Sequence, residues 1–222
     1  VPVSGGVLVK VRFDSLNRFE VPKFYVCNPG CTYDTGVLSS TLGALSDTTD
    51  EELVLNFNTT SELNFRLNKI RREDPEENQY ITKLYGAIQN RRLIFVEDVG
   101  FFVIRDVTDG FEDNIHYKDV RAESCEYEIS QKALPYIEDG TYRFMDLLEK
   151  VVSSLPLWKI DTVNLDVAEK YRTFEDVSVE ANALSFLLED MQDAYECIFE
   201  FDTINRYINV YDQNYFVEQT DI

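Results

Sequence analysis

Acidic side chains near the end of the sequence have a spacing that could support acid–base chemistry. Glu196, Glu200, Asp202 and Asp212 fall within the stretch AYECIFEFDTINRYINVYD, and Glu200 and Asp202 stand two residues apart. On one strand face their side chains would lie roughly 6–7 Å apart, a span that glycosidase carboxyl groups can occupy. Two catalytic acids need differently tuned surroundings, and nothing in the neighbouring sequence supplies a pocket. The same spacing occurs on any solvated strand, so we predict the polar face of a hairpin.

The alternation around these carboxylates predicts the element that holds them. Cys197, Phe199 and Phe201 would point to one side of a first strand, and the second strand, 207–212, alternates in the same way. The residues between them, Asp-Thr-Ile-Asn-Arg at 202–206, include the Asp and Asn that favour turns by bonding their own backbone. The stretch therefore reads as an antiparallel hairpin that follows an amphipathic helix.

Four cysteines are the other candidates for a site. Cys27 and Cys31 flank Asn-Pro-Gly, a strong turn signal, and could bridge across that turn or supply half of a zinc site. Zinc normally takes four ligands, and the remaining candidates, Cys125, Cys197 and His116, are far away in the sequence. We predict buried thiols here, with no metal and no cofactor.

Single residues elsewhere do not complete a reactive group. No Ser or Cys nucleophile pattern accompanies His116, and Trp158 follows Pro-Leu after a helix, where a core anchor is expected. The phosphate-binding, dinucleotide-binding, zinc-protease and serine-hydrolase motifs are all absent from the sequence. We therefore predict no catalytic, cofactor or metal residues and a protein without enzymatic activity.

Composition bounds the class of protein. The chain has 222 residues with 44% hydrophobic side chains, enough for one large or two modest folded domains. Twenty-one basic against 41 acidic residues give 21 − 41 = −20, a charge that repels phosphate and disfavours both nucleic acid and anionic membrane surfaces. No apolar stretch approaches the roughly 20 residues that cross a bilayer, so we predict no membrane anchor. The first residue is Val rather than Met, and we expect a piece of a longer protein.

The first half of the chain reads as β-structure. Period-two alternation predicts a strand at 7–13, and Pro22 places the run 19–26 at an edge or bend. Small polar residues predict an exposed loop at 35–50. The apolar alternation at 52–57 and 61–67 predicts a hairpin or corner.

A helix and three further strands complete this half. Asp74, Pro75 and Glu77 have the spacing of a helix start. Two strands are expected within 92–107, joined at Glu-Asp, and the second is apolar on both faces and should be central. A long, mostly polar strand is expected at roughly 116–129.

The character of the sequence changes near residues 135–141, where Pro, Asp and Gly predict a linker. An apolar stripe then predicts a helix from Phe144 that Pro156 ends, and a second helix is expected after Ser178 as its cap. We predict an α+β fold with a β-rich, barrel-like domain at 1–138. A smaller α/β domain at 139–222 would hold two helices and the antiparallel hairpin.

Several phrases, in a fixed order, resemble bacteriophage tail-tip or baseplate hub proteins of the prophage tail-endopeptidase (tail-associated lysin) family. The phrases are LGALSDTTDEELVLNFNTTSELNFRL at 42–67, IHYKDVRAES at 115–124 with the following YEIS, GTYRFMDLL at 140–148, and the helix and hairpin at 173–212. They span nearly the whole chain, and none is a catalytic signature. The order of the phrases therefore carries the resemblance.

The resemblance implies a structural role. Such proteins look like hubs built of β-barrel-like domains with smaller α/β domains inserted, and three copies close a ring at the end of the tail tube. The implied partners are further copies of the chain, the distal tail protein and the tape-measure protein. The implied location is the virion tail tip, after synthesis in the bacterial cytoplasm. Many members carry a C-terminal hydrolase, which is not carried over to this chain.

Two alternatives from other classes remain open. One is a fragment of a cell-wall hydrolase that uses Glu200 and Asp202. The other is a carbohydrate-binding module that uses some of the 13 tyrosines. If the chain belongs to a hub, its acidity would line a channel and keep the phosphates of passing DNA from binding.

Overall fold

The computed structural model describes residues 22–45, 48–56, 59–69, 84–178 and 180–214. These residues divide into two compact units between Cys125 and Glu126. Strands predominate, most of them antiparallel, and helices are few, which confirms the predicted α+β class. The predicted domain division after residue 138 stays a prediction.

The first unit is built on an antiparallel sheet of seven strands. In chain order the strands of this unit are β1 Phe24–Cys27, β2 Tyr33–Asp34, β3 Val37–Leu38, β4 Thr41–Leu45, β5 Thr48–Val54, β6 Glu62–Asn68, β7 Leu93–Val96, β8 Gly100–Glu112 and β9 Ile115–Ser124. The sheet order is β4-β1-β7-β8-β9-β6-β5, and β2 and β3 form a separate small hairpin. A short 3-10 turn, Tyr85–Ala87, precedes β7.

The core of this unit lies on one face of the sheet, where alternate residues of six of its strands meet. On β6, Leu63, Phe65 and Leu67 are buried, as the predicted hairpin with β5 requires. The β7–β8 hairpin is also confirmed, and β8 is the central strand. Asp98 (φ 63°) and Gly100 (φ 144°) take the left-handed backbone that closes its turn.

The sheet is curled but open. Its two edge strands, β4 and β5, are consecutive in the chain, since β4 ends at Leu45 and β5 begins at Thr48. Three peptide units cannot separate these residues by more than about 11 Å. Opposite edges therefore approach each other at that end, yet no hydrogen-bonded ladder joins them among the described residues. The curled sheet corresponds to the predicted barrel-like domain, but the described strands do not close into a barrel.

Three predictions for this unit were wrong. The expected loop at 35–50 contains β4 and the start of β5, because a solvent-facing edge strand tolerates the small polar residues that also fill loops. The expected edge run is internal, since β1 pairs with both β4 and β7. Pro22 lies outside β1, so its missing N–H costs no ladder bond. The predicted long polar strand is present as β9, but its predicted end at 129 is wrong: it ends at Ser124, and the chain turns there into a short helix.

Two further predictions concern residues that the structure does not describe. They are the strand at 7–13 and the helix start at 74–77. Of the predicted helix, the described part is the 3-10 turn at 85–87.

The second unit combines short helices with two small sheets. In chain order its elements are α1 Tyr127–Ser130, β10 Gly140–Arg143, α2 Phe144–Val152, β11 Lys159–Val163, α3 Leu165–Ala168, β12 Tyr171–Phe174, α4 Ala183–Ser185, a π-helical segment Phe186–Met191, α5 Gln192–Tyr195, β13 Cys197–Asp202 and β14 Tyr207–Asp212. β10 pairs with β12, and β14 lies between β13 and β11. The β11–β14 pair is parallel, which the sequence analysis did not anticipate.

Both predicted helices form, with different ends. α2 buries Phe144, Leu148 and Val151 and stops before Pro156. The second helix runs through α4, the π-helical segment and α5, and its cap is Asn182, whose Oδ1 accepts the Ser185 N–H at 2.9 Å. The predicted cap, Ser178, was wrong. Its Oγ accepts the N–H of Glu180 at 3.2 Å, a local turn that comes before the helix.

Candidate functional site

The predicted hairpin of β13 and β14 is present, and Glu200 lies on its polar face. Glu200 pairs across the ladder with Asn209. Its Oε2 accepts hydrogen bonds from Asn209 Nδ2 at 3.3 Å and from the Tyr211 hydroxyl at 3.1 Å. Both donors come from the neighbouring strand, so this carboxylate stabilises the pairing of the two strands.

Asp202 closes the hairpin turn. Its Oδ1 accepts the backbone N–H groups of Ile204 at 2.9 Å and Asn205 at 3.0 Å. Its Oδ2 accepts the Asn205 amide at 2.6 Å. This is the Asp-centred turn that the sequence indicated: two of the bonds come from the backbone of the turn and the third from the Asn205 side chain.

The other two carboxylates share a lysine. Lys170 Nζ lies 3.5 Å from Asp212 Oδ2 and 3.9 Å from Glu196 Oε2, and it donates to the Tyr195 carbonyl at 2.7 Å. The backbone N–H of Asn214, followed by Lys170, holds the pKa of Asp212 below its ordinary value. The structure therefore brings together Glu196 and Asp212, rather than the pair that the spacing singled out.

Replacement of the turn carboxylate is expected to destabilise the protein. Asp202→Ala removes the acceptor of two backbone N–H groups, and we expect the free energy of unfolding to fall by about 1–2 kcal/mol. Asp202→Asn keeps one acceptor oxygen and should cost less than about half of that. Urea unfolding followed by the fluorescence of Trp158, which packs 5.8 Å from Phe201, measures both. Equal stability of all three proteins would show that the turn does not depend on this side chain.

All four cysteines are buried thiols, as predicted. Burial is the main cause that raises the pKa of Cys197 to about 12. No group of three or more His, Cys, Asp or Glu side chains with metal-binding geometry occurs within the described ranges. Cys27 and Cys31 remain close to each other at their turn.

The other two candidates lie in different environments. His116 is exposed near the tip of the β8–β9 hairpin, with its ring 4.8 Å from that of Phe111. Trp158 is 5% exposed, which confirms it as a core residue.

The Arg206 guanidinium lies 5.6 Å from the centre of the Trp158 ring and pairs with Glu128 at 2.6 Å. This partly buried ion pair joins the hairpin turn to α1, and no local pattern in the sequence predicted it.

A shallow groove of about 270 Å³ crosses the face of β5, β6, β8 and β9, lined by Asp50, Asn64, Phe65, Arg66, Asp106, Thr108, Asp119, Val120 and Arg121. Arg66 binds Asp119 with two hydrogen bonds, at 2.7 and 3.2 Å, and stacks 3.9 Å above the Tyr117 ring. Tyr117 in turn covers Gly110, where a Cβ would lie 2.2 Å from the ring. The charged groups of the groove thus bind one another across the strands. Which of these charged side chains come into contact depends on the register of the strands, and the sequence does not predict that register.

The open edges of the curled sheet are the other feature that could serve a function. Within the described structure, β4 and β5 each pair on one side only. Three of the large apolar side chains that the first unit exposes lie on these strands or the adjoining β3: Leu42 at 40%, Val54 at 39% and Val37 at 65%. Unpaired strand edges with apolar side chains are the usual template for adding a strand from another chain.

Solved structures show what this architecture resembles. Prophage tail protein gp18 from Listeria monocytogenes superposes with a TM-score of 0.63 at 12% identity, over 87% of this chain and 52% of that one. The 43 kDa tail protein of prophage MuSo2 from Shewanella oneidensis gives 0.53 at 11% identity, over 84% and 52%. This chain has the fold of prophage tail proteins.

The tail-protein fold accounts for most of both units, and the resemblance predicted from the ordered phrases is confirmed at that level. The Francisella PdpA–VgrG complex also matches, with a TM-score of 0.52 at 10% identity over 90% of this chain and 30% of that one. The chain spans about half the length of the two tail proteins.

Sequence comparison adds no closer relative. No protein-family model matches the chain, and no curated protein matches it. None of the helices in the described part of the chain combines the length and the apolar character that crossing a bilayer requires.

Proposed function

We propose that this chain is a structural, non-enzymatic part of a phage or prophage tail tip. In the longer protein, three copies would form a hub ring at the end of the tail tube and anchor domains directed at the host wall. The ring would contact the distal tail protein and the tape-measure protein. The likeness of fold to two prophage tail proteins supports the tail assignment.

The observation that carries the assembly role is that, in the part of the chain that the structure describes, the edge strands β4 and β5 of the curled sheet each pair on one side only. Edge strands that expose backbone hydrogen-bonding groups and apolar side chains can pair with a strand from another chain, which would satisfy those groups and bury those side chains. Leu42 and Val54 lie on opposite edges, so two partners could be engaged at once. A head-to-tail contact of this kind closes into a ring when the rotation between copies allows it.

The strong negative charge supports a further part of this proposal. A hub ring encloses the path of the DNA, and carboxylates facing that path would repel phosphate, whereas a basic lining would retain it. A ring structure with a predominantly basic lumen would contradict this part alone.

The assembly role is tested on the complete protein that contains this chain. We expect sedimentation analysis to show a closed oligomer for the unaltered protein. The double variant Leu42→Lys/Val54→Lys should weaken the oligomer at least about tenfold, because it places two charges in the contact. Leu165→Lys is the matched control, since Leu165 is 81% exposed in the second unit. A monomeric unaltered protein, or an edge variant that assembles normally, contradicts the proposal.

The wall-hydrolase alternative has a separate test. Both of its candidate carboxylates already accept hydrogen bonds within the hairpin, and we expect no clearing of cell-wall suspensions by this chain. Clearance that Glu200→Ala/Asp202→Ala abolishes, in a variant that is still folded, would favour the enzyme. Binding to a glycan array would instead favour the carbohydrate-binding module.

A further inference from the structure

Two thiols lie on either side of one tight turn in the first unit. Cys27 ends β1, and Cys31 follows the Asn-Pro-Gly sequence at 28–30. The N–H of Cys31 donates to the Asn28 carbonyl at 3.1 Å, which folds the chain back on itself, and Gly30 has the positive φ of 78° that the turn needs. Both thiol side chains are buried, at 0% and 2% exposure.

A single neighbouring segment, residues 39–41, contacts both cysteines. Ser39 Oγ lies 3.9 Å from Cys31 Sγ, while Thr41 is the ladder partner of Cys27. Each thiol also lies near a carbonyl of its own strand or turn, Cys27 Sγ 3.8 Å from that of Tyr25 and Cys31 Sγ 3.7 Å from that of Thr32. The two thiols interact with each other across the turn. Burial, followed by the adjacent Cys31 thiol, raises the pKa of Cys27 to about 12.

Neighbouring segments also form hydrogen bonds with Asn28 in the 27–31 turn. Asn28 donates its backbone N–H to the Ser40 carbonyl at 2.9 Å and its side-chain amide to Ser40 Oγ at 2.8 Å. Its Oδ1 also accepts a hydrogen bond from Arg92, on the segment that leads into β7. Three chain segments therefore fix the backbone that carries the thiols.

We propose that Cys27 and Cys31 form a redox-active dithiol that a low-molecular-weight disulfide oxidises to an intrachain disulfide closing the 27–31 turn. The inference is independent of the tail-tip role, because it rests on the turn alone. Cys125 and Cys197 are thiols on other elements and serve as internal controls.

The reaction balances as two exchanges. One cysteine thiolate attacks the reagent disulfide, forms a mixed disulfide and releases one reagent thiol. The second cysteine thiolate then attacks the protein sulfur of that bond and releases the other reagent thiol. The protein loses two protons and two electrons, and the reagent gains them. Burial keeps the thiolate fraction small at neutral pH, so the reaction should be slow at pH 7 and faster at pH 9.

Intact mass after alkylation measures the state of the thiols. The protein is reduced, freed of reductant and incubated with oxidised glutathione at pH 7 and pH 9, with one further arm in denaturant too dilute to unfold it. It is then unfolded in guanidinium and treated with N-ethylmaleimide. We expect four adducts before oxidation and two afterwards. After oxidation the tryptic peptide 24–66, which contains both turn cysteines, should carry no adduct and be two hydrogens lighter than the unlabelled dithiol peptide.

Variants locate the bond. Cys27→Ser and Cys31→Ser should each prevent it, whereas Cys125→Ser/Cys197→Ser should still form it. We also expect the oxidised protein to melt about 4 °C or more above the reduced one, as a short closed loop predicts. Four adducts in every arm, a disulfide-linked dimer, or an oxidised form that melts earlier would each overturn the proposal.

Discussion

A rise in pH from 8 to 11 is expected to remove about 7 kcal/mol from the free energy of unfolding of the reduced protein. Burial is the first cause that raises the pKa of Cys27, Cys197 and Tyr195, each to about 12. In the unfolded chain the thiols ionise near 9 and the phenol near 10. Folding therefore favours the neutral form of all three groups.

The sign follows from linkage. Because the folded pKa values lie above the unfolded ones, the stabilisation is complete below about pH 9 and is lost as the pH rises toward 12. At pH 11 each cysteine accounts for about 3 kcal/mol of the loss and the tyrosine for about 1 kcal/mol, at roughly 1.4 kcal/mol per pKa unit.

Urea unfolding at pH 8, 9.5 and 11, with a phosphine reductant present to exclude disulfides, measures this dependence. Cys197→Ala is the informative variant, because it lowers stability at pH 8 by removing a buried side chain but should flatten the alkaline slope. If the free energy of unfolding stays constant from pH 8 to 11, these groups are not buried as the structure has them. An unchanged slope in Cys197→Ala would remove that residue from the explanation.

Tyr195→Ala is expected to cost about 4 kcal/mol, the largest effect of a single substitution that we predict. The side chain is fully buried at the end of α5. Its ring packs edge-on against Phe144 of α2 at 5.0 Å and lies 5.9 Å from Phe174 of β12. Its hydroxyl donates to the Tyr142 carbonyl at 2.9 Å. Truncation would leave a cavity where α5, α2 and the β10–β12 sheet meet.

The matched control is Tyr195→Phe, which keeps the ring and loses the hydroxyl. We expect a cost of about 1 kcal/mol, since one hydrogen bond is lost and the Tyr142 carbonyl is left without this donor. Thermal and urea unfolding of the three proteins at pH 7 give the comparison. A loss in Tyr195→Ala no greater than in Tyr195→Phe would show that the ring packing contributes little. The second unit would then have to depend on its other aromatic contacts.

Local patterns were enough to predict several elements. Alternation at 61–67 and the Asp and Asn of the turn at 202–206 predicted two hairpins, because strand periodicity and turn chemistry are properties of a few neighbouring residues. The apolar stripe from Phe144 predicted α2 for the same reason. The errors fell where local signals are ambiguous, as at the polar edge strand 41–45 and at the cap of the second helix.

The environment of Glu200 and Asp202 could not be predicted from the neighbouring sequence. Spacing placed Glu200 and Asp202 on one face, but their hydrogen-bond partners, Asn209 and Tyr211 for the first and the turn backbone for the second, depend on the hairpin register. The same holds for Arg66 and Asp119, 53 residues apart and joined across β6 and β9. Residue types alone cannot predict such pairs, because many acids are available to each arginine.

By itself, the sequence determined the α+β class, the hairpins, the helical stripes, the negative charge and the order of phrases typical of phage tail proteins. Only the tertiary structure decided that the seven strands curl until β4 and β5 approach each other, each pairing on one side only among the described residues. It also decided that Cys27 and Cys31, at the two ends of one tight turn, are both buried. The reason is that periodicity and turn chemistry act over a few residues. Sheet order, register and burial, in contrast, come from contacts between residues far apart in the chain.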